Sequence, residues 1–387
     1  MDVPRVVIDY TAGAQQGAGI GRYTRELVRA LAALDQTTRY TLLVRGGVTV
    51  PGALDGFPPN FHPRRIPLAN VHFIRLWRLG VPLPMDWLAD RADVYYSPDF
   101  ILPPLTAGRA LVTVHDLTFL RVPDAADPRL RAFLTRAVPR AVARADHILA
   151  DSAHTRLDLT DLLHVPPDKV SVVYPGVAPR FRRVDDPTAL AAARARYGLD
   201  GPFILGLGTL EPRKNLARLI EAFARLPAQG LPHTLALAGG RGWLYNPIFE
   251  QVDRLGVKAR VRFLGYVADD DLPALYSLAD AFAFPSLYEG FGLPPLEALA
   301  CGTPTVVSNT SSLPEVVGEA AFQVAPTDVD ALVEALVRLV TDEALGARLR
   351  AAGPAQAARF TWSAAAAGLK AVLDRLSQPT RDAKASR

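Results

Sequence analysis

Residues 286 to 302 read SLYEGFGLPPLEALACG, with two carboxylates, Glu289 and Glu297, eight positions apart around a Gly-Phe-Gly turn and a double proline. Such a pair has three ordinary uses: general acid and base, a metal clamp, or a grip on substrate hydroxyls. Leu296-Glu297-Ala298-Leu299-Ala300 reads as a helix, with Pro294 and Pro295 in its first turn, where proline is tolerated. The turn therefore leads into a helix N-terminus, whose free N–H groups and positive dipole end suit an anion, most simply a phosphate. A carboxylate repels a phosphate, so Glu297 fits better as an acceptor for neutral hydroxyls such as the two of a ribose. Glu289, in the preceding loop, suits a sugar in the same way. Helix charge compensation by Glu297 and a solvated loop around Glu289 would explain the same spacing.

Three further clusters carry candidate chemistry. GTLEPRKN (208–215) puts Arg213 and Lys214 in a strand-to-helix loop, where two cations would neutralise a diphosphate leaving group. An isolated pair of this kind is usually solvent-exposed loop charge. His115, in TVHDL (113–117), stands at a strand's end, with Asp116 beside it as an acceptor fixing the loop. In GAGIGRYTREL (17–27), Gly17, Gly19 and Gly21 miss the GxGxxG dinucleotide fingerprint because the last spacing is short. Alone they hint only at close approach of backbone to a ligand. Asp269-Asp270-Asp271 falls in a loop and reads as a helix cap, so no metal site is expected.

The elements that position these residues alternate. RVVIDY (5–10), YTLLVR (40–45), ADVYYSP (92–98), ALVTVHD (110–116), ADHILADS (145–152) and KVSVVYPG (169–176) read as buried strands rich in β-branched residues. Amphipathic stretches at 21–34 and 129–145 lie between them. After a polar, proline-bearing linker near 178–200 a second series begins: PFILGLGT (202–209), HTLALAGG (233–240), VRFLGYV (261–267), AFAFPS (281–286) and PTVVSN (304–309). FTWSAAAAGLKAVLDRL (360–376) is a final helix. The fold class is α/β, two doubly wound parallel sheets, with ligands expected at the C-terminal strand ends facing an interdomain cleft.

With 387 residues the chain suits two domains, and 49% hydrophobic against 21% charged residues allows large cores and excludes disorder. The single cysteine, Cys301, excludes an intramolecular disulfide framework and fits a reducing compartment. The N-terminus lacks a signal-peptide pattern, and no run of about eighteen apolar residues would span a bilayer, so a cytoplasmic chain is expected. Residues 1–182 hold 22 Lys/Arg against 17 Asp/Glu and the remainder 21 against 22. That modest basic surplus suits an anionic partner but, with little aromatic interleaving, disfavours nucleic acid.

Glu289-Gly290-Phe291-Gly292-Leu293 with Glu297, continuing through CGTPTVVSNTSSLPEVVG (301–318), resembles the paired-glutamate signature of retaining glycosyltransferase family 4. The resemblance covers nearly the whole chain. It implies the GT-B fold, with residues 1–182 binding the acceptor and 195–362 the nucleotide-sugar donor, and with the helix 363–380 packing back on the first domain. It implies that Glu297 holds the nucleotide ribose, that Glu289 contacts hydroxyls of the transferred sugar, and that amides around Phe291, Gly292 and Leu293 meet the diphosphate. Lys214 matches a pyrophosphate-binding lysine. The family often has arginine where this chain has Thr209, so that contact is missing, and Arg213 stands in for its charge. The glycine loop with Gly19 and Gly21 is implied to face donor and acceptor, and His115 to hydrogen-bond the transferred sugar. GTLEPRKN itself resembles a bacterial mannosyltransferase subgroup that uses GDP-mannose.

The function expected is transfer of a hexose, mannose from GDP-mannose, to a saccharide or lipid-linked saccharide, with anomeric configuration retained. No cofactor is required beyond the donor substrate. Double displacement needs two carboxyls about 5–5.5 Å apart flanking the bond, and glutamates on ribose and sugar are not so arranged. Same-face attack is expected instead, the departing phosphate taking the acceptor's proton. A UDP- or dTDP-sugar donor, a sugar-nucleotide epimerase and a non-catalytic sugar binder are the alternatives. RRIPLANVHFIRLWRLGVPL (64–83), with Arg64, Arg65, Arg75, Arg78, Phe73, Trp77 and Leu79, suits peripheral contact with the inner face of a membrane or a lipid-linked acceptor, or else a buried irregular helix pair.

Overall fold

The computed structural model describes residues 3–17, 19–68, 72–73, 75, 83–226 and 230–378. They form two compact units. One comprises Met1–Asp116, Phe133–Gly176 and Thr361–Arg387, the other Leu117–Ala132 and Val177–Phe360. Most of the segment 64–83, including Trp77, Arg78 and Leu79, lies outside the described residues.

Among the described residues the first unit holds seven parallel strands: β1 (Arg5–Asp9), β2 (Arg39–Arg45), β3 (Phe61–Ile66), β4 (Val94–Ser97), β5 (Arg109–Val114), β6 (His147–Ala150) and β7 (Val170–Val172). Their order is β3-β2-β1-β4-β5-β6-β7, so the direction of winding reverses between β1 and β4. β3 is an addition to the expected set. FHPRRI lacks an apolar run, and its four central residues are exposed, as an edge strand allows. Within the same unit the helix Trp362–Ser377 lies against the helix Ile20–Leu34, with the Trp362 ring 5.8 Å from Tyr23 and Lys370 Nζ 3.6 Å from Asp35.

The described residues of the second unit form six parallel strands: β8 (Phe203–Leu207), β9 (Thr234–Ala238), β10 (Val261–Gly265), β11 (Ala281–Phe284), β12 (Thr305–Ser308) and β13 (Phe322–Val324). Their order is β10-β9-β8-β11-β12-β13, reversing between β8 and β11. Side chains alternate between two cores, one on each face of the sheet. Phe203, Leu205, Phe282, Phe284 and Val307 enter one, while Ile204, Ala281, Ala283 and Val306 enter the other. Burial on both faces explains why these strands read as continuous apolar runs rather than alternating ones. The three-residue edge strand β13 carries too short a run to be read from sequence. The doubly wound α/β class expected from the alternation is thus present twice.

Candidate functional site

In the second unit the loops after β8 and β11 leave the sheet on either side of the winding reversal, where open α/β sheets bind ligands. The β8 loop opens on Gly208, whose φ of +149° disfavours other residues. A Cβ there would sit 3.0 Å from Lys214 Cε, so the glycine also makes room for the lysine stem. After a single 3₁₀ turn, Pro212–Lys214, Asn215 adopts a left-handed conformation with φ +57°. Its amide donates to the carbonyls of Pro285 at 2.8 Å and Pro326 at 2.7 Å, and the Leu287 N–H donates to Arg213 O at 2.8 Å. The side chain of Asn215 thereby ties three loops together.

Four charged side chains meet in this frame. Glu289 Oε1 is 2.7 Å from Lys214 Nζ, and its Oε2 is 2.6 Å from Arg213 Nη1. Arg213 Nη2 in turn pairs with Glu211 Oε1 at 2.6 Å, and Nη1 also donates to Tyr288 O at 3.1 Å. The Lys214 ammonium stands 4.7 Å from the centre of the Phe284 ring, a cation–π contact. Burial opposes a charge on Glu289, but the Arg213 and Lys214 cations outweigh it and hold its carboxyl at about 2. Burial, with Arg213 beside it, lowers the Lys214 ammonium, against the pull of Glu289.

The β11 loop is fixed from behind. The Glu289 N–H donates to Ser311 Oγ at 3.0 Å, and Ser312 Oγ–H reaches the carbonyls of Glu289 at 3.0 Å and Phe291 at 2.8 Å. Phe291 is buried edge-on against Phe360, 5.6 Å away. Gly292, at φ +109°, caps the helix Leu293–Ala300, and a Cβ on it would lie 2.8 Å from Leu313 Cδ2. Leu293 begins the helix, whose first turn holds no acid; Glu297 follows one turn later. Glu297 is 1% exposed and accepts the Tyr276 hydroxyl at 3.1 Å. The two glutamates therefore have separate partners. Thr209 is exposed, with Gly242 leaving space for its methyl.

Asp271 stands at the N-cap position of the helix Leu272–Leu278 as expected, but its side chain makes no cap. It pairs instead with Arg196 at 2.6 Å and Tyr197 at 2.7 Å.

The remaining candidates lie in the first unit. Gly19, at φ +58°, caps the helix Ile20–Leu34. Gly21 packs so closely that a Cβ would meet Gln16 O at 2.3 Å. His115 is 8% exposed, between the rings of Tyr23 and Phe100. Nδ1 lies 2.7 Å from Asp151 Oδ2 and Nε2 3.0 Å from Pro98 O. An imidazolium donating from both nitrogens satisfies both partners, although burial also pushes the Asp151 carboxyl up. Burial works against that charge, but Asp151 overrides it and raises the group to about 9.

Sequence reasoning passed over Glu211, Asn215, Tyr276 and Asp151. Glu211 and Asn215 stand inside GTLEPRKN, where the alternation of acid and base was visible; the other two are distant in sequence and carried no signal.

The family model described as Glycosyltransferase Family 4 matches residues 17–181, and that described as Glycosyl transferases group 1 matches residues 192–356. O-antigen chain mannosyltransferase B of Escherichia coli is 34% identical over 355 residues, which is 89% of this chain and 92% of that protein. The serotype-specific mannosyltransferase WbdA of Escherichia coli is 36% identical over 249 residues, 61% of this chain and 29% of that one. Sucrose-phosphate synthase from Thermosynechococcus elongatus has the same two-sheet GT-B fold, with a TM-score of 0.76 at 23% identity over 97% of this chain and 99% of that chain.

Proposed function

The chain belongs to glycosyltransferase family 4, and on that premise we propose that it moves mannose from GDP-mannose to a hydroxyl of a saccharide or lipid-linked saccharide, retaining the anomeric configuration. That the enzyme is a hexosyltransferase follows from the family and from its relatives. The choice of mannose leans on the Escherichia coli relative, which is named a mannosyltransferase. The observation that carries the donor assignment is the Arg213–Lys214 cation pair beyond β8, with Glu289 between them.

In this reading Arg213 and Lys214 take the diphosphate, together with N–H groups around Phe291, Gly292 and Leu293. Two fixed cations stabilise the charge that develops as the bond from the sugar's C1 to phosphate oxygen breaks, an effect worth about a hundred- to thousandfold per donor elsewhere. The acceptor oxygen attacks C1 from the side the phosphate leaves, and its proton passes to the departing phosphate oxygen. Glu297 takes ribose hydroxyls and Glu289 those of the sugar. His115 is assigned a hydrogen bond from Nε2 to a sugar hydroxyl, made in exchange for the Pro98 carbonyl. The two cations perform the charge neutralisation for which other transferases use a divalent ion, so activity should persist in EDTA. A cytoplasmic site of action, with peripheral membrane contact when the acceptor is lipid-linked, completes the proposal.

A thermal-shift screen of GDP, UDP, ADP and dTDP with their sugars tests the donor. GDP-mannose is expected to raise the midpoint most. A larger shift with a UDP- or dTDP-sugar would reassign the base, and a flat response to all would remove the donor site.

A further inference from the structure

Arg213 and Lys214, given above to the diphosphate, hold a carboxylate of their own chain at 2.6 and 2.7 Å. A carboxylate and a phosphate oxygen use the same donors in the same geometry, so Glu289 and a diphosphate compete for one pair of cations. Resting on the function proposed above, we propose that Glu289 is an exchangeable internal ligand that makes the site discriminate sugar nucleotide from bare nucleotide. The diphosphate displaces it from the cations, and the sugar's hydroxyls then satisfy its oxygens. Once the sugar has been transferred, Glu289 loses those partners, returns to the cations and drives the nucleoside diphosphate off.

The surroundings divide into parts that are fixed and one that can turn. The Lys214 stem lies along Gly208 and its ammonium rests on Phe284. Arg213 keeps Glu211 on its second nitrogen and the Tyr288 carbonyl on its first, so departure of Glu289 strands neither cation. The main chain of Glu289 is held by Ser311 and Ser312, on its N–H and its carbonyl. Exchange therefore needs rotation of one side chain and no loop movement. A bare diphosphate replaces one ion-pair set with another and leaves a buried carboxylate with no cation, only the Ser286 hydroxyl nearby, an unfavourable trade. Only a nucleotide that carries a sugar supplies Glu289 with new donors.

The test is calorimetric titration of GDP and GDP-mannose, with UDP and UDP-glucose in parallel, into wild type, E289Q, E289D and E211Q. Wild type is expected to bind the sugar nucleotide at least tenfold more tightly than its bare nucleotide. E289Q, although defective in transfer, should bind bare nucleotide about tenfold more tightly than wild type does and lose the preference for the sugar form. E289D, whose shorter arm spans both cations poorly, should fall between, and serves if E289Q does not fold. E211Q should shift both affinities by one factor and leave their ratio alone. Equal binding of bare and sugar nucleotide by wild type, or weaker binding of bare nucleotide by E289Q, would overturn the exchange. Failure of every nucleotide to bind any of the proteins would instead overturn the donor site itself.

Discussion

Each sheet carries a buried carboxylate–cation contact just beyond its strand ends, and the two are built to different ends. In the first unit the His115 imidazolium spends both N–H groups internally, on Asp151 and on the Pro98 carbonyl, with an aromatic ring on either side. In the second, Glu289 shares two cations, and each cation has a further contact besides. A pair in which one carboxylate supplies most of the charge fixes structure, because removal of either half strips a buried group of its nearest opposite charge. A charge held by several neighbours can be passed on. The same type of contact should thus register as stability in one unit and as ligand binding in the other.

The largest effect should come from breaking the first pair. Asp151→Asn removes the nearest carboxylate from the buried His115 ring, leaving it the Pro98 carbonyl and the weaker pull of Asp99, and is expected to cost about 3–5 kcal/mol in urea unfolding. The sign with pH follows from the raised His115. Its stabilising contribution is complete below the ordinary imidazole range and is lost as pH rises through about 9. The gap between wild type and Asp151→Asn should therefore narrow from pH 7 to pH 10, and a gap that is constant with pH would mean that His115 is neutral. Lys214→Ala should act in the opposite manner, lowering kcat for sugar transfer about a hundred- to thousandfold while moving the unfolding midpoint little. A stability loss as large as that of Asp151→Asn would erase the contrast.

Asn215→Ala sharpens the contrast from the scaffold side. It removes the bonds to the Pro285 and Pro326 carbonyls, the bond accepted from Arg218 and a residue suited to the left-handed region, for roughly 2–3 kcal/mol of stability. Asn215→Gly should recover only the backbone part. Smallest is Thr361→Ala, which deletes the hydroxyl accepting from the Ala364 N–H at the start of the last helix. About 1 kcal/mol is expected by thermal unfolding, with donor affinity unchanged.

What the sequence disclosed follows the physics of burial. Runs such as RVVID and TLALA, covered on both faces, announce themselves as strands, whereas FHPRRI and FQV sit at sheet edges with no such cover. In the candidate site, residue types and loop positions were legible because glycines, prolines and paired charges are local signals. The pairings were not. Lys214 and Glu289 are 75 positions apart, and His115 and Asp151 are 36. Nothing local distinguishes a solvated lysine from one lodged against Phe284. Nor does any local signal show that residues 117–132 group with the second unit while the stretches on either side belong to the first.

The first unit is assembled from three separate stretches of chain, the last beginning at Thr361. A ribosome delivers that stretch after the residues of the second unit. Until Trp362 reaches Tyr23, the helix Ile20–Leu34 must wait with an aromatic face uncovered, though its own sheet was synthesised first. The second unit, by contrast, has all of its residues once Phe360 has emerged. The unit whose first strand is made earlier is thus completed after the other, and a premature stop in the stretch from Thr361 onward would spare Arg213, Lys214 and Glu289 while leaving the first unit unfinished and exposed to proteases.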